Sequence, residues 1–332
     1  MSGYFRPLVQ QGDIRVPGAL PLAGGALWFT HAERLDRDGT SEILPVRDLP
    51  TGVAERLAAP RDAIAGLDMS RPHLMGILNV TPDSFSDGGR HFDVADAVET
   101  ALAMVAQDVS ILDVGGESTR PGAAEVPVEE EIRRIEPVIE AIRAETGTAI
   151  SIDTRKAAVA EVALASGASL VNDVSGFTFD AALAPLCADT GTPVCIMHAQ
   201  GDPATMQQDP RYDNVLLDVY DFLAAQVDRL AAAGLPRGQI VIDPGIGFGK
   251  TQAHNLTLLR NLSLFHGIGC PILLGVSRKR FIGTIGKEPL TEARAPGSIA
   301  VGLAGIAQGA QILRVHDVVE TAQALRLWGA VR

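Results

Sequence analysis

Cysteine is scarce in this sequence, aromatic residues are few, basic residues are outnumbered, and no long apolar run occurs. The 332 residues contain three cysteines, Cys187, Cys195 and Cys270. An odd count with no CxxC spacing argues against a disulfide framework and a zinc cluster, and fits reduced thiols in a cytoplasm. No stretch approaches twenty uninterrupted apolar residues, so no membrane-spanning helix is expected. The opening MSGYFRPLVQQGDIRVPG lacks a basic stretch followed by an apolar one, so no secretory signal is expected. Lysine and arginine number 28 against 40 aspartates and glutamates, a net charge of −12. That balance argues against nucleic acid or an anionic membrane as partner of the whole surface, and leaves a local basic pocket open. With 46% hydrophobic and 20% charged residues, the chain is too apolar for a disordered segment and long enough for a full core.

Glycine is abundant, at 34 residues, and falls in short clusters at the ends of apolar runs, as tight turns require. The runs at 73–81, 109–116, 149–154, 170–175, 193–198, 240–245, 271–277 and 310–317 alternate with helical patterns at 94–107, 127–145, 156–166, 214–233, 252–264, 295–308 and 318–328. Continuous apolar runs are the mark of strands buried on both faces of a parallel sheet. Eight such units predict an α/β chain folded as a (β/α)8 TIM barrel over 71–332; an open doubly wound sheet is the other reading. Residues 1–70 fall outside the repeat and read as a small N-terminal appendage, with a short strand at 26–30 and a helix at 52–66.

In such a barrel, reactive groups sit where strands end. Every predicted strand ends in polar or charged residues, although turns and helix caps also favour Asp, Asn, Ser and Thr. The ends sort by charge. Asp153, Asn172 and Asp243 offer acceptors, while Arg120, Lys279, Arg314 and His316 offer donors. Acceptors in the floor with cations along one side suit a ligand having an amidine-like donor edge and an anionic tail such as phosphate. The run DPGIGFGKT at 243–251 ends like a GxxxxGK[ST] phosphate loop, but Pro244 stands where its first glycine is needed. It reads better as a turn that approaches a flat ligand, with Phe248 available for that ligand or for the core. Histidines are scattered without metal-ligand spacing. Mg²⁺, needing one or two protein oxygens plus phosphate oxygens, fits better than zinc. Asn79 is a candidate ligand or a turn-capping amide.

The segments GILNVTPDSFSDGG (76–89) and DVGGESTRPGA (113–123) resemble the signature motifs of the dihydropteroate synthase family of folate biosynthesis. The resemblance continues through SIDTRK (151–156), NDVSG (172–176), IMHAQGDPATMQ (196–207), DPGIGFGK (243–250), GVSRK (275–279) and RVHD (314–317), in the family's order.

What the resemblance implies is a pterin-binding TIM barrel, a cytoplasmic transferase that joins p-aminobenzoate to a dihydropterin-methyl diphosphate, with Mg²⁺ as cofactor and a homodimer as the expected assembly. It is a family of sulfonamide targets. By the same analogy Asp153, Asn172, Met197, Asp243, Phe248 and Lys279 bind the pterin. Asn79, Thr119, Arg314 and His316 hold the diphosphate, Asn79 with the metal. Phe85, Thr119, Arg120, Pro121, Ser277 and Lys279 meet p-aminobenzoate, and Asp83 and Asp87 share the first loop with Phe85. The catalytic set would be Asp83, Arg120, Asp243, Lys279, Arg314 and His316. An SN1-like substitution is expected. Two departures stand out: Ile246 where an aromatic is frequent, and Arg280 where some members carry serine. A methyl-tetrahydrofolate barrel serving a corrinoid protein would share Asp153, Asn172 and Asp243 but has no need of an Arg314/His316 anion site. An inactive pterin-binding paralogue should have lost site residues, and none is missing.

Overall fold

The computed structural model describes residues 3–81, 94–118, 125–201 and 206–331. The chain begins with a small antiparallel sheet: β1 (Tyr4–Gln10), β2 (Leu20–Pro21), β3 (Trp28–Leu35) and β4 (Ser41–Pro45), followed by helix α1 (Thr51–Ala58). β3 is central, pairing with β1 along one edge and with β2 and β4 along the other. Its core is Leu22, Leu27, Phe29, Ala32, Leu49 and Leu57. The predicted strand at 26–30 is thus the start of a longer one. The predicted helix at 52–66 stops at Ala58, because Pro60 disfavours helical backbone in the residue before it.

The remainder is eight βα units. The strands are β5 (His73–Asn79), β6 (Ile111–Gly115), β7 (Ala149–Asp153), β8 (Leu170–Asp173), β9 (Val194–Met197), β10 (Ile240–Asp243), β11 (Leu273–Leu274) and β12 (Ile312–Val315). All pair in parallel, in the order β10-β9-β8-β7-β6-β5-β12-β11. A bridge between Ile242 and Ile272 joins the two ends, with the Ile242 N–H donating to the Pro271 carbonyl at 2.9 Å. The sheet is therefore the predicted TIM barrel. Around it lie α2 (Val94–Val105), α3 (Val128–Glu145), α4 (Ala157–Ala165), α5 (Leu183–Thr190), α6 (Val215–Ala232), α7 (Gln252–Arg260), α8 (Arg280–Ile285), α9 (Ala295–Ile306) and α10 (Val318–Val331). The short α5 and α8 were not expected from the sequence pattern.

Each strand contributes one residue to an apolar layer low in the barrel: Met75, Ile111, Ala149, Leu170, Cys195, Val241, Leu273 and Ile312. Ile64 and Met69 join that layer from the segment preceding β5. The expected 1–70 block therefore divides: its last residues belong to the barrel floor, and only the sheet and α1 form a separate layer. Alternate strand residues, among them Leu74, Leu112, Val114, Ile150, Ile152, Val171, Ile196, Ile242, Leu274 and Leu313, face the helices. The sheet layer is tied on by Tyr4 Oη donating to Asp221 at 2.9 Å, by Arg37 to Asp218 and Asp221, and by Ser263 Oγ donating to the Pro7 carbonyl.

Candidate active site

The floor fixes which side chains form the site. Side chains on a strand repeat their direction every second residue. Two residues beyond the apolar layer, the same inward direction belongs to Ile77, Asp113, Ser151, Asn172, Met197, Asp243, Gly275 and Arg314. Four residues beyond it come Asn79, Gly115, Asp153, Ser277 and His316. The strands are thus not apolar throughout, as the unbroken runs had implied. They are apolar outward, and inward most of them become polar towards their C-terminal ends, Ile77 and Met197 excepted.

Within this polar layer Arg314 bridges two carboxylates. Its Nε donates to Asp113 Oδ2 at 2.6 Å and its Nη2 to Asp153 Oδ2 at 2.7 Å. Asn172 Nδ2 leans on Asp113 at 3.3 and 3.4 Å. The expected division between acceptors and a separate row of cations does not hold for Arg314, because its inward register sets it among the acceptors. Asp113, to which sequence reasoning gave no role, anchors the group. Counting by twos from Ile111 would have found it. Asp153 is buried, and among the described residues its Oδ1 has no hydrogen-bond partner. Desolvation raises the Asp153 pKa to about 7, outweighing the Arg314 charge that lowers it.

Across the mouth, Asp243 Oδ1 accepts from the Gly245 N–H at 2.7 Å. Burial raises the Asp243 pKa. Lys279 Nζ donates to the Ile246 carbonyl and lies 4.2 Å from the centre of the Phe248 ring. Desolvation brings the Lys279 pKa down to about 8, against the opposing charge of Asp243. Lys279 thus lies over Phe248 and within reach of the Asp243 charge. Gly245 is obligatory in this turn: its φ is +68°, and a Cβ there would sit 1.9 Å from the His198 carbonyl oxygen. Met197, at the end of β9, has its Cγ 3.1 Å from that same Cβ position.

Ser277 and His316 meet at the ends of the last two strands, with Ser277 Oγ 2.9 Å from His316 Nδ1 and accepting from the His316 N–H at 3.1 Å. Arg278 pairs with Asp317 instead of facing this group. Asn79 ends β5 beside Gly115, where an added Cβ would lie 3.8 Å from its Oδ1. A glycine neighbour and a neutral amide oxygen fit Mg²⁺, which takes few protein oxygens and completes its shell with water and phosphate. Asp83, Phe85, Asp87, Thr119, Arg120 and Pro121 lie outside the described residues.

Glu117 and Val126 are joined by a cluster that sequence reasoning missed. Glu117 Oε1 accepts from the Val126 N–H at 2.9 Å, while Lys156 Nζ donates to the Val126 carbonyl. Lys156 also pairs with Glu117 at 3.2 Å and Glu131 at 2.8 Å. Arg155 adds a further contact to Glu117, at 3.3 Å. No local pattern marks this cluster, since its members come from two successive βα units, β6–α3 and β7–α4.

A parallel barrel whose mouth joins paired buried carboxylates to an amide and a lysine defines an enzyme that grips a flat, donor-edged ligand. The profile of the family described as "Pterin binding enzyme" matches residues 75–316. The chain belongs to this family, among the dihydropteroate synthases. It is 48% identical over 261 residues to dihydropteroate synthase of Escherichia coli, covering 79% of this chain and 92% of that one. Solved structures agree. The Xanthomonas albilineans dihydropteroate synthase with 4-aminobenzoic acid superposes with a TM-score of 0.77 at 45% identity, over 82% of this chain and 98% of that one. The same enzyme in complex with 7,8-dihydropteroate gives a TM-score of 0.74 at 42% identity, over the same shares of the two chains.

Proposed function

We propose that this chain is a transferase that condenses (7,8-dihydropterin-6-yl)methyl diphosphate with 4-aminobenzoate, giving 7,8-dihydropteroate and diphosphate. The observation that carries the reading is the buried Asp153 Oδ1, which among the described residues has no hydrogen-bond partner, at the end of β7 beside Asn172. A buried acceptor left unmatched calls for a donor from the ligand. The guanidine-like edge of a pterin supplies paired N–H groups.

In this reading Asp153, Asn172 and Asp243 orient the pterin, with Met197, Phe248 and Lys279 beside its ring. The bond from the methylene carbon to the diphosphate oxygen breaks with its electrons leaving on the diphosphate. Arg314 and His316 stabilise the charge that gathers there. Mg²⁺, when bound through Asn79, would add further neutralisation of the diphosphate. The pterin shares the positive charge left on the methylene, and the Asp243 carboxylate lies close to where that charge spreads. The aniline nitrogen then attacks the methylene and loses a proton. Ser277 and Lys279 receive the p-aminobenzoate carboxylate, with Phe85, Thr119, Arg120 and Pro121 completing the site. Asp83 and Arg120 complete the catalytic set with Asp243, Lys279, Arg314 and His316. No side chain forms a covalent intermediate.

We further propose a cytoplasmic homodimer that binds neither nucleic acid nor membrane. Three buried free thiols and a net charge of −12 support that setting, and among the described residues no helix is long and apolar enough to cross a membrane. Exposed Ile285, Leu290, Val319 and Leu327, gathered on the last two βα units, support the dimer.

The test is dihydropteroate formation from the two substrates, with methyl transfer to a cobalamin as the competing assay; methyl transfer without dihydropteroate would overturn the reading. Positional isotope exchange in the diphosphate, run without p-aminobenzoate, checks the dissociative step; absence of exchange under all conditions removes its main support.

A further inference from the structure

The lysine of the phosphate-loop-like run 243–251 takes no part in the function above. Lys250 is 3% exposed, and its Nζ has three partners: His198 Nδ1 at 2.8 Å, the His198 carbonyl at 3.1 Å and the Phe248 carbonyl at 3.0 Å. Three acceptors match the three protons of an ammonium. None is a carboxylate, and burying a cation without a counter-ion is expensive. The residue after it is committed as well. Thr251 caps α7, accepting from the His254 N–H at 3.2 Å. The Lys-Thr pair therefore does not form a phosphate cradle.

What Lys250 does hold is the contact between two strand ends. The turn 244–250 lies flat on residues 198–200: a Cβ on Gly249 would sit 2.6 Å from the Gln200 carbonyl oxygen, as one on Gly245 would strike His198. Tyr212 Oη donates to the Gly249 carbonyl at 2.7 Å, and Asn255 Oδ1 accepts from the Gly247 N–H at 2.7 Å. Lys250 closes this set by tying the Phe248 carbonyl to His198. The turn so fixed carries both supports of Lys279: the Phe248 ring below its ammonium and the Ile246 carbonyl that accepts from it.

We propose that Lys250 is a positioning residue for the pterin subsite: through His198 and the Phe248 carbonyl it fixes the turn 244–250, and through that turn the Phe248 ring and the Lys279 ammonium. It rests on the reading that this mouth binds a dihydropterin.

Lys250→Met keeps the buried stem and removes the three donated bonds. In the full-length protein it should raise KM for the dihydropterin diphosphate about tenfold, the scale of losing hydrogen bonds from a charged donor, and lower kcat. KM for p-aminobenzoate and inhibition by inorganic diphosphate should stay within about twofold of wild type. His198→Leu removes the imidazole acceptor alone and should shift the same KM less. In the double variant the His198 change should add less than it does alone, since its bond to Lys250 is already lost and only the ring's packing on Tyr212 and Phe222 remains to be removed. A folded Lys250→Met protein with wild-type constants overturns the proposal. So does weakened diphosphate inhibition with an unchanged pterin KM, which would put Lys250 on the phosphate. If Lys250→Met fails to fold, an unchanged pterin KM in His198→Leu overturns it. A wild-type chain that forms no dihydropteroate sinks the function reading instead. Calorimetry with 6-hydroxymethyl-7,8-dihydropterin then still decides the role of Lys250, equal affinity for wild type and Lys250→Met overturning it.

Discussion

Arg314 Nη2 lies 2.7 Å from Asp153 Oδ2, in a layer of the barrel walled by its own strands. The same guanidinium reaches Asp113, so one cation from β12 holds two carboxylates from β6 and β7. Removing it strands two buried charges. Arg314→Met should destabilise the fold by about 3–5 kcal/mol, the usual cost of breaking a buried pair from one side. It should abolish most turnover while leaving weak pterin binding. Chemical denaturation paired with steady-state kinetics checks both effects; a midpoint like that of wild type would contradict the clamp.

The site should respond to pH on both sides of neutrality. Burial lifts Asp153 from 3.8 to about 7, so between those values the folded protein holds a proton that the unfolded chain has lost. Its contribution to stability is present below the unfolded value and is lost as pH rises through about 7. Ligand binding runs the other way. An ionised Asp153 accepts pterin N–H groups better, so pterin affinity should fall on acidification through that range, and Asp153→Asn should flatten the profile. Lys279, lowered to about 8, should give an alkaline limb in kcat/KM near that value. Lys279→Arg should move the limb outward. Titration calorimetry and pH–rate profiles measure these directly.

Lys156 is the single ammonium between two buried carboxylates, Glu117 and Glu131. Lys156→Met leaves both without it and releases the Val126 carbonyl. The expected loss is again about 3–5 kcal/mol, read from denaturation midpoints. Since Glu117 and Val126 flank the segment that contains Thr119, Arg120 and Pro121, KM for p-aminobenzoate should rise more than KM for the pterin. An equal rise in both would contradict that link.

The appendage and the barrel floor offer a contrast in magnitude. Met69 is fully buried in the apolar layer, so Met69→Ala should cost about 2–5 kcal/mol with kcat retained, because the layer lies at the far end from the chemistry. Arg37 forms exposed ion pairs with Asp218 and Asp221. Arg37→Ala should cost no more than about 1 kcal/mol. Thermal melts of the two variants, measured with turnover, test the ordering.

The eight runs, their order and the polar residues at their ends were legible because a βα repeat writes its period directly into the chain. Asp153, Asn172, Asp243 and Lys279 were legible for the same reason, as strand-end residues within long motifs. The Asp113–Arg314 pair, the Lys156 cluster and the Lys250–His198 contact were not. Each depends on which strand lies beside which, and at what height. The helix expected over 52–66 ends at Ala58 because one proline, Pro60, outweighs an otherwise helical composition.

The sequence alone determined the architecture and the inventory of reactive groups, since periodicity and turn chemistry act over a few neighbouring residues. Only the tertiary structure decided how those groups are paired. Closing the sheet brings β6, β7 and β12 to the same level, and in that low-dielectric layer Arg314 finds two carboxylates, Asp153 keeps one oxygen unmatched, and Lys250 turns away from the mouth to hold it together.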